Sequence, residues 1–141
     1  MIVLDASMAL AWHLKRTSPT EAVLAQEAIR EVDRTGAVVP GLWFFEVANG
    51  LLVAERQGAT TQTAVSTFHS DLAQLDIAID SAWPSATFAM LLPLGRTWKL
   101  SAYDAAYLEL ALRTGNELAT FDRELAKATR KAGGRVFGDR P

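Results

Sequence analysis

The sequence predicts an α/β domain, a parallel sheet with helices on both faces. Two observations carry the prediction. Short apolar runs alternate along the 141 residues with segments of helical periodicity, and strands joined through helices run parallel. Two of those runs also leave in the same way. Met1-Ile2-Val3-Leu4 leads into Asp5, Glu117-Leu118-Ala119-Thr120-Phe121 leads into Asp122, and helix-like sequence follows each aspartate. Open α/β sheets bind ligands beyond the carboxyl ends of their strands. The repetition therefore points to one shared acidic site.

In chain order, the first strand ends at Asp5 and Ala6 to Leu14 reads as helix. Thr17-Ser18-Pro19-Thr20 is a loop, and Thr20 is placed to cap a helix over Glu21 to Arg34 with Ala22, Ala25, Ala28, Ile29 and Val32 on its apolar side. Gly36 stops that helix, and Ala37-Val38-Val39 reads as a buried strand. Pro40 opens an apolar helix to Gln57, closed by Gly58. Thr60 to Ala73 is another helix, and Leu75 to Ile79 alternates as a short strand. Ser81 to Trp98 is helical with a break near Pro93. Ser101 to Arg113 is the clearest helix. The turn Gly115-Asn116 precedes the second acidic strand, Arg123 to Ala132 is helix, and Gly133-Gly134 leads to a last strand, Arg135-Val136-Phe137. Without repeat or linker, residues 1–141 read as one domain, long enough to bury about two thirds of its unfolded surface.

Composition narrows the function. Half the residues are hydrophobic and 21% are charged, an ordinary globular balance. The absence of cysteine excludes disulfides, thiolate catalysis and a cysteine zinc site. Met1 to Trp12 is apolar but lacks a basic flank and contains Asp5, so it does not read as a signal peptide. No apolar run approaches the roughly 20 residues of a membrane span. A cytoplasmic protein is expected. The net charge of −2 does not advertise nucleic-acid binding, but its distribution is uneven. Residues 1–122 hold 8 basic and 14 acidic side chains, whereas residues 123–141 hold 6 basic and 2 acidic. Arg123, Lys127, Arg130, Lys131, Arg135 and Arg140 form a basic end beside the acidic site. They read either as a solvated helix face or as a rim, led by Arg123, Lys127 and Arg130, that contacts phosphates.

Two further acids interrupt apolar helices. Trp43, Phe44, Phe45, Val47, Ala48, Leu51, Leu52 and Ala54 surround the helix after Pro40, so little of it is expected to be exposed. Leu42, Glu46, Asn49 and Val53 nevertheless share one stripe, and a buried carboxylate needs a partner. In the helix from Ser101, Asp104 shares a face with Tyr107, Leu108 and Ala111, while Glu109 and Arg113 form a surface pair opposite. Simpler roles exist: a salt bridge for Glu46, a capping box for Ser101 and Asp104, caps for Thr120 and Asp122. Taken together, Asp5, Glu46, Asp104 and Asp122 suggest convergence. Carboxylates about 4 Å apart repel by roughly 4 kcal/mol at an effective dielectric of 20, so such a cluster protonates or binds a cation. Oxygen ligands suit Mg²⁺ or Mn²⁺, and the chemistry they fit is metal-assisted phosphodiester hydrolysis. Other sites are thinly supported. There is no glycine-rich phosphate loop, and His13 and His69 fall on separate helices, away from any triad with Ser7. Trp12, Trp83 and Trp98 are assigned to the core, and Trp43-Phe44-Phe45 exceeds what one helix buries, which suggests a protein interface.

Four segments together resemble a PIN domain, specifically the toxin ribonuclease of a VapBC-type toxin–antitoxin pair. They are Ile2 to Ser7, Pro40 to Asn49, Ser101 to Ala111 and Leu118 to Asp122, in the family's order and spread over nearly the whole chain. The resemblance implies a five-stranded parallel sheet of order 3-2-1-4-5 in three α/β/α layers, with Asp5 and Asp122 meeting at the switch point. It also implies a Mg²⁺- or Mn²⁺-dependent endoribonuclease, a homodimer, and a small antitoxin that inhibits it. Carried over by position, Asp5, Glu46, Asp104 and Asp122 match the family's catalytic, metal-binding acids, and Ser7, Asn49 and Thr120 match polar positions that support them. Alternatives are a non-catalytic binding protein on the same fold and a DNA nuclease of related fold. A haloacid-dehalogenase-type phosphatase needs a second aspartate at position 7, where this chain has Ser7.

Overall fold

In the computed structural model, which describes residues 1–82 and 87–139, four short strands form one parallel sheet. They are β1 (Ile2–Leu4), β2 (Ala37–Val39), β3 (Ile77–Ile79) and β4 (Glu117–Ala119), in the order β3-β2-β1-β4. Among the described residues seven helices flank the sheet: α1 (Ala6–Leu10), α2 (Pro19–Thr35), α3 (Trp43–Arg56), α4 (Gln62–Leu72), α5 (Thr87–Trp98), α6 (Ala102–Thr114) and α7 (Arg123–Lys131). The expected order is observed, with one difference at its end. In place of a fifth strand, Val136 makes a single parallel bridge to Leu118, fixed by Leu118 N–H to Arg135 O at 2.9 Å and Phe137 N–H to Leu118 O at 2.9 Å. The turn through Gly138, at φ 89°, follows at once and prevents further pairing.

β1 lies at the centre and is buried throughout, as its unbroken Ile-Val-Leu run requires. Val39, Leu118 and Ala119 continue the apolar layer, with Met8, Val32, Tyr107, Leu108, Leu110 and Leu125 packed on it from the helices. A fully buried leucine or isoleucine contributes roughly 1.5–3 kcal/mol. The layer therefore pins the strand ends from which the acids emerge.

Several boundaries differ from the sequence expectation for local reasons. Ser18, not Thr20, caps α2, accepting from Glu21 N–H with Pro19 at the first helical position. α4 starts at Gln62 rather than Thr60, and Thr61 caps it. α1 stops at Leu10 rather than Leu14, and Trp12 Nε1 then donates to Ala25 O at 3.0 Å, tying the turn to α2. His13 lies in that turn rather than in a helix, bonded to Thr60 at 2.7 Å and stacked on Phe68, whereas His69 is exposed. β4 ends at Ala119 because Thr120 and Phe121 turn into the site instead of continuing the ladder. Ser81 and Ala82 are not helical, residues 83–86 lie outside the described residues, and from Thr87 α5 passes through Pro93 without a break. Trp98 packs against the core, and Trp83 lies outside the described residues. The largest departure is α3. Trp43, Val47, Leu51 and Ala54 are buried, but Phe44, Ala48, Asn49, Leu52 and Val53 are exposed and Phe45 is 80% exposed. The helix covers the core with one face only and presents the other, also apolar, outward.

Candidate functional site

Parallel pairing of β1 with β4 sets Leu4 opposite Ala119, so the next residues, Asp5 and Thr120, leave the sheet side by side. Asp5 N–H continues the ladder to Ala119 O at 3.0 Å. The Asp5 carboxylate does not cap its own helix. Its Oδ2 instead accepts from two hydroxyls, Ser7 Oγ and Thr120 Oγ1, the latter at 2.6 Å. Both hydroxyls are held in turn. Ser7 Oγ accepts from Phe121 N–H and Thr120 Oγ1 from Asp122 N–H, each at 2.9 Å. One network therefore joins the two strand ends across 115 residues of sequence. The neighbour of Asp5 in register is Thr120, and Asp122 acts from two residues further along.

Asp5 is only 6% exposed. Burial pushes its carboxyl above the ordinary range, the Ser7, Thr120 and Ala6 hydrogen bonds oppose the shift, and the charge of Asp122 adds to it. Asp122 is exposed and caps α7, its Oδ1 accepting from Leu125 N–H at 2.8 Å. That cap occupies one oxygen and stabilises the helix end that fixes the residue.

Glu46 and Asp104 reach toward the same centre from α3 and α6. Glu46 sits in the first turn of α3 and is half-buried. Its Oε1 accepts from Tyr107 Oη at 2.6 Å, and Tyr107 is completely buried. Burial raises the proton affinity of Glu46, Tyr107 lowers it, and the charges of Asp5 and Asp104 raise it again. The Tyr107 phenol is pushed upward, first by burial and then by its bond to Glu46, so it stays a donor. Asp104 occupies the first turn of α6, where its N–H donates to Ser101 Oγ at 3.1 Å. The return bond of a capping box, from the Ser101 N–H to the Asp104 carboxylate, does not form among the described residues. Burial raises the proton affinity of Asp104, followed by the charges of Asp122 and Asp5, and the Ser101 hydroxyl opposes the shift.

The four acids thus feel one another from four separate elements, and among the described residues none is in a salt bridge. Among the described residues, no three His, Cys, Asp or Glu side chains are gathered as a ready-made ligand set for one ion. The donor chemistry still fits a hard divalent cation. Every available donor is a carboxylate or hydroxyl oxygen, and magnesium takes only one or two carboxylates directly and keeps waters.

Ser7 and Thr120 join the network, but Asn49 does not; it lies on the exposed side of α3. Arg123 and Lys127 are exposed, and Arg130 is held by Asp139 through two bonds of 2.7 and 2.8 Å. Arg135 donates to Gly115 O, and Arg140 lies outside the described residues. The sequence placed Tyr107 only on the face of Asp104. That its hydroxyl needs a partner could have been anticipated from its apolar face, but that the partner is Glu46, 61 residues away, could not. Among the described residues, no helix is long and apolar enough to cross a membrane.

The fold agrees with what comparison finds. The crystal structure of PAE2754 from Pyrobaculum aerophilum superposes with a TM-score of 0.71 at 20% identity, covering 96% of this chain and 87% of that one. Comparison with curated proteins returns no match. The family model described as PIN domain matches residues 2–131, a span that includes both strand-end aspartates, Glu46 and Asp104. PIN domains are generally metal-dependent nucleases. By that match over almost its full length, the chain belongs to the PIN domain family.

Proposed function

We propose that the protein is a Mg²⁺- or Mn²⁺-dependent endoribonuclease acting at Asp5, Glu46, Asp104 and Asp122, and that it is the toxin of a VapBC-type toxin–antitoxin pair. The observation that carries the reading is the unpaired charge of the site. Asp5, Glu46 and Asp104 bear on one another or on Asp122 through their charges, none of the four has a salt-bridging cation among the described residues, and the first three have raised proton affinity. A site built for stability alone pairs such groups.

Asp5, Glu46, Asp104 and Asp122 are the residues that would hold the ion, one or two of them directly and the others through its waters. Bound there, a divalent ion supplies Lewis acidity toward the scissile phosphate and a more acidic water. Ser7 and Thr120 fix the Asp5 carboxylate through Oδ2, so its orientation is set before substrate arrives. Tyr107 engages Glu46 Oε1 and leaves Oε2 as the acceptor for a proton lost by the attacking water. Arg123 and Lys127 contact the RNA backbone beside the cap of α7.

The decisive assay is cleavage of single-stranded RNA with Mg²⁺, with EDTA, and with Mg²⁺ restored. Cleavage should stop with the chelator and return with the metal. Asp104→Asn and Asp122→Asn should each abolish it, and undiminished cleavage by both refutes the mechanism. Binding of RNA without cleavage under any metal condition would favour the non-catalytic alternative, and preference for DNA in the same assay would favour the DNA nuclease. For the toxin role, induced expression should arrest growth, and a short protein encoded beside the gene should relieve the arrest. The apolar outer surfaces of α3, at Phe44, Phe45 and Leu52, and of α5, at Phe88, Met90 and Leu92, supply area for a homodimer and an antitoxin. Sedimentation should therefore report a dimer.

A further inference from the structure

We infer that Arg16 is a substrate-phosphate contact at the mouth of the acidic site, mounted on Phe121. The inference rests on the nuclease reading above and adds a residue to it. A cluster of carboxylates repels the polyanion it is meant to cleave, so a nearby cation must bring the strand in. Several arginines are committed elsewhere: Arg34 to Glu31, Arg113 to Glu109 and Asp80, and Arg130 to Asp139.

Arg16 is placed differently. Its guanidinium carbon lies 4.5 Å from the centroid of the Phe121 ring, within the range of a cation–π contact. Phe121 stands between Thr120, which bonds to Asp5, and Asp122, and its own N–H is fixed on Ser7 Oγ at 2.9 Å. The residue whose ring carries Arg16 is therefore tied by its backbone to the network that holds Asp5. Glu21 Oε2 takes the Nε edge of the guanidinium at 2.8 Å. Among the described residues the two Nη nitrogens have no hydrogen-bond partner, and the side chain is 36% exposed. With one face on the ring and Nε on Glu21, the free Nη pair is the part of the fork that suits phosphate oxygens. Glu21 offsets part of the charge, so the contact depends on the fork's geometry as well as on its sign. Lysine cannot reproduce that.

The competing role is a loop clamp, in which Arg16 ties the segment before α2 to Phe121 and never meets substrate. Anisotropy of labelled single-stranded RNA separates the two, using Asp104→Asn as the parent, with Mg²⁺ and across a salt series. Arg16→Ala should bind roughly tenfold more weakly at low salt, and its salt slope should fall by about 0.7, the share of one phosphate on a single strand. Arg16→Lys should recover the slope but not the full affinity. In the chain with Asp104 intact, Arg16→Ala should raise KM more than it lowers kcat. Unchanged affinity, or weaker binding with an unchanged salt slope, overturns the inference. If the parent binds RNA and the intact chain cleaves it while Arg16 variants behave identically, only this inference fails. If the chain neither binds nor cleaves RNA, the nuclease reading falls with it.

Discussion

The site's chemistry is set by single bonds to single oxygens, and Tyr107 illustrates how far one such bond reaches. Its hydroxyl is the donor to Glu46 Oε1, and that bond lowers the proton affinity that burial and the neighbouring acids raise. Tyr107→Phe should cost about 1 kcal/mol of stability and lower activity roughly tenfold, as loss of a supporting hydrogen bond commonly does. The acidic limb of the pH–rate profile should also move to higher pH, because Glu46 then loses the interaction that favours its charged form. A variant whose profile keeps its position would show that the bond is only structural. Asp104→Asn makes the complementary case. It removes a carboxylate with raised proton affinity and no salt-bridge partner among the described residues, so activity should vanish while the metal-free unfolding temperature holds or rises. At this scale the sequence was informative about Asp5, Glu46, Asp104 and Asp122, because charged residues that interrupt apolar segments stand out. Tyr107 and Arg16 were not legible in their roles. Each is defined by a contact to another element, Glu46 for one and Phe121 for the other, and no local spacing encodes that.

Elements bring these residues together, and their ends matter more than their middles. Gly115 closes α6 in the left-handed region, at φ 68° and ψ 13°, and its N–H bonds to Ala111 O before β4 begins. A Cβ at this position would meet open space, so Gly115→Ala tests backbone conformation alone. It should destabilise the fold by about 1 kcal/mol, a fall of about 3–4 °C in Tm for a chain of this size, and Gly115→Asn should lose less. An unchanged Tm for both would mean that the turn relaxes. The same helix end shows why the element order was readable. Glycine, proline and cap residues punctuate the chain in ways that follow from φ restrictions and orphan N–H groups. Lengths were less readable. Whether α1 runs to Leu14 depends on where Trp12 finds an acceptor, and that acceptor is Ala25 O on α2. The outer side of α3 misled for a related reason. An apolar helix surface predicts burial, but nothing local says whether this chain or a second molecule buries it, and here Phe45 and Leu52 face outward.

Across the whole molecule, the acidic site makes stability depend on pH and metal together. Asp5, Glu46 and Asp104 bind protons more tightly in the folded chain than their ordinary values, chiefly through burial. Groups raised in this way contribute fully below the unfolded carboxylate range, and the contribution is lost as pH rises through the folded values. Glu31 and Asp139 behave oppositely. Their proton affinity is lowered by Arg34 and Arg130, so their contribution is present above the ordinary carboxylate range and lost as pH falls through the folded values. Both are largely solvent-exposed pairs, and such pairs contribute little. The buried acids therefore decide the slope. The metal-free protein should gain stability as pH falls from neutrality to the acid side, because the raised carboxyls take up protons over that change. A divalent ion should reverse that order. On the proposed reading it would bind the deprotonated site of the folded chain, and at a hundredfold excess over Kd it would add about 2.7 kcal/mol. Its stabilisation should be large near neutrality and small on the acid side, where protons compete for the same oxygens. Thermal unfolding at both pH values, with and without Mg²⁺, tests the coupling, and Asp104→Asn should flatten the pH slope and shrink the metal shift together. A metal shift that is equal at both pH values, or that survives intact in Asp104→Asn, would place the ion away from these four acids.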